Sequence, residues 1–243
     1  MKFGISIFIT IILFYSCSEE NNNNETKQVT INDENSILAD TSYNFQIDKL
    51  DSNFIKKNFK YRGKFKDAFK FTDKQGSHIV FTCENFYYSD YIYDTVKIEI
   101  DGKEEIINQE TYKQNAEVFC FHYLLNHNQF ELEWKLYDKS LKCPMDALAF
   151  FTNKSLEVTD LNKNGISEIW TMYSVACKGD ISPNELILIM YEGDKKYKIK
   201  GTSLIDYIKN EKYGGEVEYS DKFNNEKELL NYALKKWRKN IKG

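Results

Sequence analysis

The sequence predicts an α+β fold, predominantly antiparallel β, of about ten short strands in hairpins with a C-terminal amphipathic helix. Three observations carry this. Apolar residues recur with period two over most of the stretch from Phe65 to Cys177. Turn-forming pairs such as Gln75-Gly76 and Asp101-Gly102 interrupt the alternation at hairpin spacing. Near the C-terminus the period changes to that of a helix, where Leu229, Leu230, Ala233, Leu234, Trp237 and Ile241 fall on one stripe.

The elements follow in order. Leu50 to Phe59 is expected to form a short helix. Gly63-Lys64-Phe65 leads through Phe69 and Phe71 into a turn at Thr72-Asp73-Lys74-Gln75-Gly76, and His78 to Cys83 returns as the second strand. Val96 to Ile100 and Glu104 to Ile107 flank Asp101-Gly102, whose glycine tolerates the positive φ of a tight turn. Val118 to Leu124 and Phe130 to Leu136 pair through His127-Asn128, and Phe130, Leu132, Trp134 and Leu136 alternate with Glu131, Glu133 and Lys135. Ala147–Phe151, Leu156–Val158, Ile166–Val175, Leu186–Tyr191 and Tyr197–Ile199 complete the strands. The last helix opens on Asn225-Glu226-Lys227-Glu228, with acid at the positive end of its dipole, and closes on Lys235-Lys236-Arg238-Lys239, read as solvated charge at its negative end.

Composition narrows the function. Of 243 residues 42% are apolar and 15% aromatic, with two prolines, which excludes a disordered or collagen-like chain. Lys plus Arg number 33 against 37 Asp plus Glu, a net charge of −4, so the basic excess that nucleic-acid binding requires is missing. No G-x-S-x-G, H-E-x-x-H, P-loop or G-x-G-x-x-G motif occurs.

The N-terminus carries an address. After Met1-Lys2, an apolar run of thirteen residues from Phe3 to Tyr15 ends at Ser16-Cys17, too short to span a ~30 Å hydrocarbon core as a helix. This resembles the lipobox of bacterial lipoproteins, and Ser18-Glu19-Glu20 resembles the acidic export tag of Bacteroidota surface lipoproteins. The resemblance implies a signal peptide over 1–16, acylation of Cys17 and lipid anchoring at the outer membrane or cell surface. Residues 17–43, with Asn21 to Asn24 and scattered acids, read as a flexible tether, and 44–243 as one β-rich globular domain.

Four cysteines remain in the folded part. Cys143-Pro144-Met145-Asp146 and Cys177-Lys178-Gly179-Asp180 share a C-x-x-D spacing in an exported chain, so Cys143 is expected to bridge Cys177. Cys83 and Cys120 either pair or remain buried thiols. No C-x-x-C pair exists and the three histidines lack ligand spacing, which disfavours zinc; His122 and His127 read as ordinary strand and turn residues.

The segment Asp160-Leu161-Asn162-Lys163-Asn164-Gly165-Ile166-Ser167-Glu168 offers oxygens from Asp160, Asn162, Asn164, the Ile166 carbonyl and Glu168. It resembles the calcium loops of integrin-type FG-GAP repeats, which implies weak Ca²⁺ binding. The alternative is an Asx-rich turn that needs no ion. Position 12 is Thr171 and a strand follows, which excludes an EF-hand.

Phe86 to Asp94 packs five aromatics and two carboxylates into nine residues. Tyr87, Tyr88, Tyr91 and Tyr93 are candidate glycan contacts if exposed; the alternative is strand aromatics with one face in the core. Asp146, Asp160 and Asp180 are candidate acids and bases if a fold gathers two of them in a cleft.

Across roughly residues 60–240, Gly63, the hairpin turn at 72–76, Cys143-Pro144-Met145-Asp146, the loop from Thr159 to Glu168, Cys177 through Pro183 and Tyr191-Glu192-Gly193 resemble a family of flavobacterial exported proteins labelled surface polysaccharide biosynthesis proteins. The resemblance implies a role in making or displaying surface glycans and supplies no catalytic residue. The leading expectation is a non-enzymatic lipid-anchored envelope protein, whose partners are the membrane and surface polysaccharide or its assembly proteins. A glycan-binding module is the second, distinguished by an exposed aromatic row. A carbohydrate-active enzyme is the third, distinguished by a cleft holding two carboxylates.

Overall fold

A computed structural model describes residues 45–208 and 211–242. The expected signal peptide (1–16), Cys17 and the tether (17–43) lie outside the described residues. The described part is mostly antiparallel β with a C-terminal helix, the α+β class that the alternation predicts.

The first sheet has the order β1 (Ile47–Lys49), β2 (Lys64–Asp73), β3 (Gly76–Ile100), β4 (Lys103–Asn126) and β5 (Gln129–Cys143), each antiparallel to its neighbour. Two strands, β3 and β4, are far longer than the alternation alone marks. Neither 77–101 nor 103–126 contains a Gly or Pro, so nothing breaks either strand, and the two separate hairpins expected around 96–107 and 118–136 share one long β4. A register shift between Asn85 and Tyr88 accommodates the extra length. The turns behave as the sequence implies: Asp101 and Gly102 take φ of 52° and 76°, and His127 and Asn128 take 46° and 63°.

The second sheet runs β13 (Val217–Tyr219), β10 (Lys195–Thr202), β9 (Glu185–Glu192), β8 (Glu168–Lys178) and β6 (Asp146–Phe151), with β7 (Glu157–Thr159) also on β8. β11 (Leu204–Ile208) and β12 (Glu211–Gly214) form a separate ribbon. Sequence reading missed β1, β11, β12 and β13, all of five residues or fewer, of which β1 and β13 are exposed throughout.

Strand alternation sorts the side chains into layers. Phe71, Val80, Val118, Cys120 and Leu136 of the first sheet meet Ala149, Ile169, Tyr173, Ile187 and Ile189 of the second, forming the sandwich core. Their sequence neighbours face outwards. Ile79, Phe81, Cys83, Phe119 and Phe121 are covered by Ile55 and Phe59 around α1 (Ser52–Asn58). Asp51 caps α1, accepting a bond from the Phe54 N–H at 2.8 Å. Trp170, Met172, Leu188 and Met190 are covered by Phe223 and by Leu229, Ala233 and Trp237 of α2 (Lys227–Asn240).

Two details follow from this layering. Cys83 and Cys120 sit on opposite faces of the first sheet, so they cannot bridge each other, and both are free, buried thiols. Lys236, expected among solvated helix-end charges, is buried instead: its ammonium donates to the Lys154 carbonyl and pairs with Glu157, each at 2.8 Å, pinning α2 to the β6–β7 loop.

Cys143 bonds Cys177 with Cα atoms 5.5 Å apart, joining the end of β5 in one sheet to β8 in the other. At a sequence separation of 34, the chain-entropy model values this staple at about 3–4 kcal/mol. The Cys143→Ser/Cys177→Ser double variant is expected to lose about that much in urea denaturation. Peptide mapping without reductant is expected to find the 143–177 bond and to find Cys83 and Cys120 alkylated only after unfolding.

Candidate functional site

β2 pairs β3 only up to Glu84, and β5 pairs β4 only from Gln114. Beyond those points β3 and β4 continue with each other alone to the Asp101-Gly102 turn, as a two-stranded arm. Residues directly opposite in an antiparallel pair share a face. One face of the arm therefore carries Tyr91 opposite Tyr112, Tyr93 opposite Glu110 and Lys97 opposite Ile106. The Tyr91 and Tyr112 rings meet edge to face at 5.8 Å, and the Ser89 hydroxyl bonds that of Tyr112 at 2.6 Å. Tyr91, Tyr93 and Tyr112 are 63%, 70% and 48% exposed, so no core claims this face. Tyr88 lies on the opposite face at the arm's base, 5.9 Å from the Arg62 guanidinium, and the side chain of Tyr87 lies outside the described residues. The structure thus brings Tyr91 and Tyr93 together, separates Tyr88 from them, and adds Tyr112, which reaches the row through β4 and carried no local signal.

The loop from Asp160 to Glu168 is closed by its own polar groups. Asn162 Oδ1 accepts from the Asn164 N–H at 3.1 Å and Asn164 Oδ1 from the Ile166 N–H at 2.7 Å, as in Asx turns. Both asparagine amides donate to one oxygen of Glu192, at 2.6 and 2.7 Å. Asp160 Oδ2 accepts from the Gly165 N–H at 3.2 Å, while its other oxygen is buried without a donor. Glu168 accepts from the Thr159 hydroxyl and the Leu161 N–H; burial raises its carboxyl pKa against those bonds, and Asp160 adds to the rise. Glu192 stands directly across from Glu168 in the β8–β9 register, two like charges face to face. Burial pushes Glu192 up too, but Asn162, Asn164 and Lys195 hold it below the usual carboxylate range. Among the described residues no group of three or more His, Cys, Asp or Glu side chains converges as metal ligands.

Gly165, at φ +80°, leaves space that Lys74 fills. Lys74 of the β2–β3 turn bonds the Asn164 carbonyl through its ammonium and the Gly165 carbonyl through its N–H. Beside it lies a chain of buried groups that sequence reading missed. Asp73 accepts from the Gln75 and Ser167 N–H groups at 2.8 and 2.9 Å and lies 2.8 Å from His78 Nε2. His78 Nδ1 lies 3.0 Å from His122 Nε2, and the two rings stack. With Asp73 accepting from His78, the neutral chain makes His78 Nδ1 the acceptor of His122 Nε2–H. His122 Nδ1 is then left buried without a partner. His122 and His78 border a cavity of about 390 Å³, whose wall includes Trp134, stacked on Tyr191 at 4.0 Å, and Glu133 and Asp194. His127 is the turn residue that the sequence implies, but His122 belongs to this relay. The histidines lie 44 residues apart and meet diagonally across β3 and β4, so spacing alone could not pair them.

The candidate acids do not converge. Asp146 starts β6 opposite Lys178, and Asp160 belongs to the Asx loop. Asp180 is exposed and accepts from the Ser182 N–H and hydroxyl, bonds that hold its carboxyl low. It does border a cavity of about 640 Å³, together with Asp206, Lys178, Lys239 and Lys242. A glycosidase acid needs a raised pKa, the reverse of what Asp180 has.

The fold and site together define a two-sheet β-sandwich with a projecting tyrosine arm. Compared with known proteins, the chain matches no family model, no curated protein and no solved structure.

The relay makes acid sensitivity predictable. Burial, then the adjacent His78, lowers the His122 pKa from 6.5 to about 3, while Asp73 opposes the shift. The unfolded chain therefore binds more protons than the native one between those values, and stability falls as pH drops through that window. For Asp73 burial is outweighed by its bonds from His78, Ser167 and Gln75, which hold it at about 2 against 3.8 when free, extending the loss downwards. The His122→Gln variant keeps a donor for His78 but does not titrate. Urea midpoints are expected to fall less steeply between pH 6.5 and about 3 in this variant than in the wild type, bounds set by the histidine shift.

Proposed function

We propose that this chain is a non-enzymatic envelope protein, lipid-anchored through Cys17 at the outer membrane or cell surface, that supports surface polysaccharide assembly or display by holding glycan on its arm. The observation that carries the binding role is the exposed row of Tyr91, Tyr93 and Tyr112. Tyrosine faces stack on the C–H faces of sugar rings. Glu110, opposite Tyr93, supplies an acceptor for sugar hydroxyls beside the row. The anchoring rests on the lipobox resemblance, and the choice of surface polysaccharide on the wider family resemblance.

The test is retention of the soluble domain on purified surface polysaccharide. The Tyr91→Ala/Tyr93→Ala/Tyr112→Ala variant is expected to lose at least tenfold in affinity. Its melting temperature is expected to stay within about 2 °C of wild type, because exposed positions outside a core change stability little. Unchanged retention in that variant overturns the proposal.

The same reading gives the Asp160–Glu168 loop a weakly bound Ca²⁺, supported by the unpartnered oxygen of Asp160 and by Glu168 facing Glu192. Binding exchanges the asparagine–Glu192 bonds for the ion. At ~10 mM calcium and a Kd of ~0.1–1 mM, native-state binding adds about 1.4–2.7 kcal/mol. A rise in melting temperature that Asp160→Ala abolishes is the expected result; no rise and no heat of binding leave the loop as an Asx turn.

A further inference from the structure

α1 covers part of the outer face of the first sheet and leaves the part near β5 open. There Phe119, Phe121 and Tyr137 floor a groove of about 530 Å³, with Lys60 and Arg62 on one side and Lys135 on the other. Phe119 stacks on Tyr137 at 5.0 Å and on Phe121 at 6.1 Å, so the three rings are continuous, the two phenylalanines buried and Tyr137 exposed.

The charges around this floor are unbalanced. No acidic residue lines the groove. The nearby Glu117 is fully committed: it is buried, pairs with Arg62, and accepts from Asn85 at 3.0 Å and the Tyr137 hydroxyl at 2.5 Å. Arg62 is neutralised by that pair. Lys135 is not. Its ammonium lies 5.0, 5.3 and 5.4 Å from the centroids of Phe119, Phe121 and Tyr137, held over the rings by cation–π attraction. Neither Lys135 nor Lys60 enters an ion pair among the described residues. A chain of net charge −4 has thus placed one unpaired cation over aromatic rings and a second at the groove's edge, with no acid lining the groove to compete for an anion.

We propose that this groove binds a carboxylate-bearing sugar residue, with Lys135 and Lys60 holding the carboxylate and the exposed Tyr137 ring packing against the sugar. The anionic and ring-binding character follows from the groove itself; the choice of a saccharide rests on the glycan reading above. The groove is distinct from the tyrosine row of the arm, so the two sites can fail separately.

Titration calorimetry of the soluble domain with tetragalacturonate, maltotetraose and inorganic phosphate tests this. Tetragalacturonate is expected to bind at least tenfold more tightly than maltotetraose or phosphate, and more weakly as salt rises. Lys135→Gln is expected to lose at least tenfold of that affinity with an unchanged melting temperature, while the arm triple variant retains it. Equal binding of maltotetraose or phosphate, or full binding by Lys135→Gln, overturns the groove assignment. Loss of tetragalacturonate binding in the arm variant alone places the acidic sugar on the arm and overturns it equally. Retention of surface polysaccharide by the wild type with no tetragalacturonate binding refutes the groove and leaves the arm standing.

Discussion

The register of β3 against β4 is the constraint on which the other features depend. The turn at Asp101-Gly102 starts the pairing at Ile100 with Lys103, and the shift between Asn85 and Tyr88 resets it once before the sandwich. A slip of one residue would move every side chain of a strand to the other face. Correct register puts Tyr91 beside Tyr112 on the arm, His78 diagonal to His122 in the interior, and Cys83 and Cys120 on opposite faces.

Around that hairpin the layers hold one another in place. Neither sheet could leave its outer face bare, since each carries large apolar side chains there. The short α1 and the long α2 cover them unequally. The cover by α2 makes that side a structural core, whereas the partial cover by α1 leaves the Tyr137 ring within reach of solvent. The Asp73 carboxylate performs the corresponding task between the sheets. It ties the β2–β3 turn of one to the Ser167 backbone at the start of β8 in the other.

What the sequence made legible was local. Alternation and turn residues gave the strands, the 3.6-residue stripe gave α2, and the matched C-x-x-D segments gave the bond between Cys143 and Cys177. The Asx turns of the loop could be read from Asn162, Asn164 and Gly165. The features that escaped were contacts between residues distant in the chain: Glu192 under the loop asparagines, Tyr112 beside Tyr91, and the Asp73–His78–His122 chain. The length of the arm escaped for another reason. Polar residues at 108–115 weaken the alternation without breaking the strand, because pairing to β3 supplies the order that their own propensity does not.

The two buried thiols bear on how such a chain matures where disulfides form. In the native fold burial raises Cys83 to about 12 and Cys120 well above its ordinary value, so neither forms the thiolate that attacks a disulfide. Before folding, Cys83, Cys120, Cys143 and Cys177 have ordinary reactivity, and a bond to Cys83 or Cys120 would tether a residue that belongs inside a sheet face. The layers act as a protecting group: α1 closes over Cys83 and the second sheet over Cys120. Of these four cysteines, only the pair that staples the two sheets is bonded in the native fold.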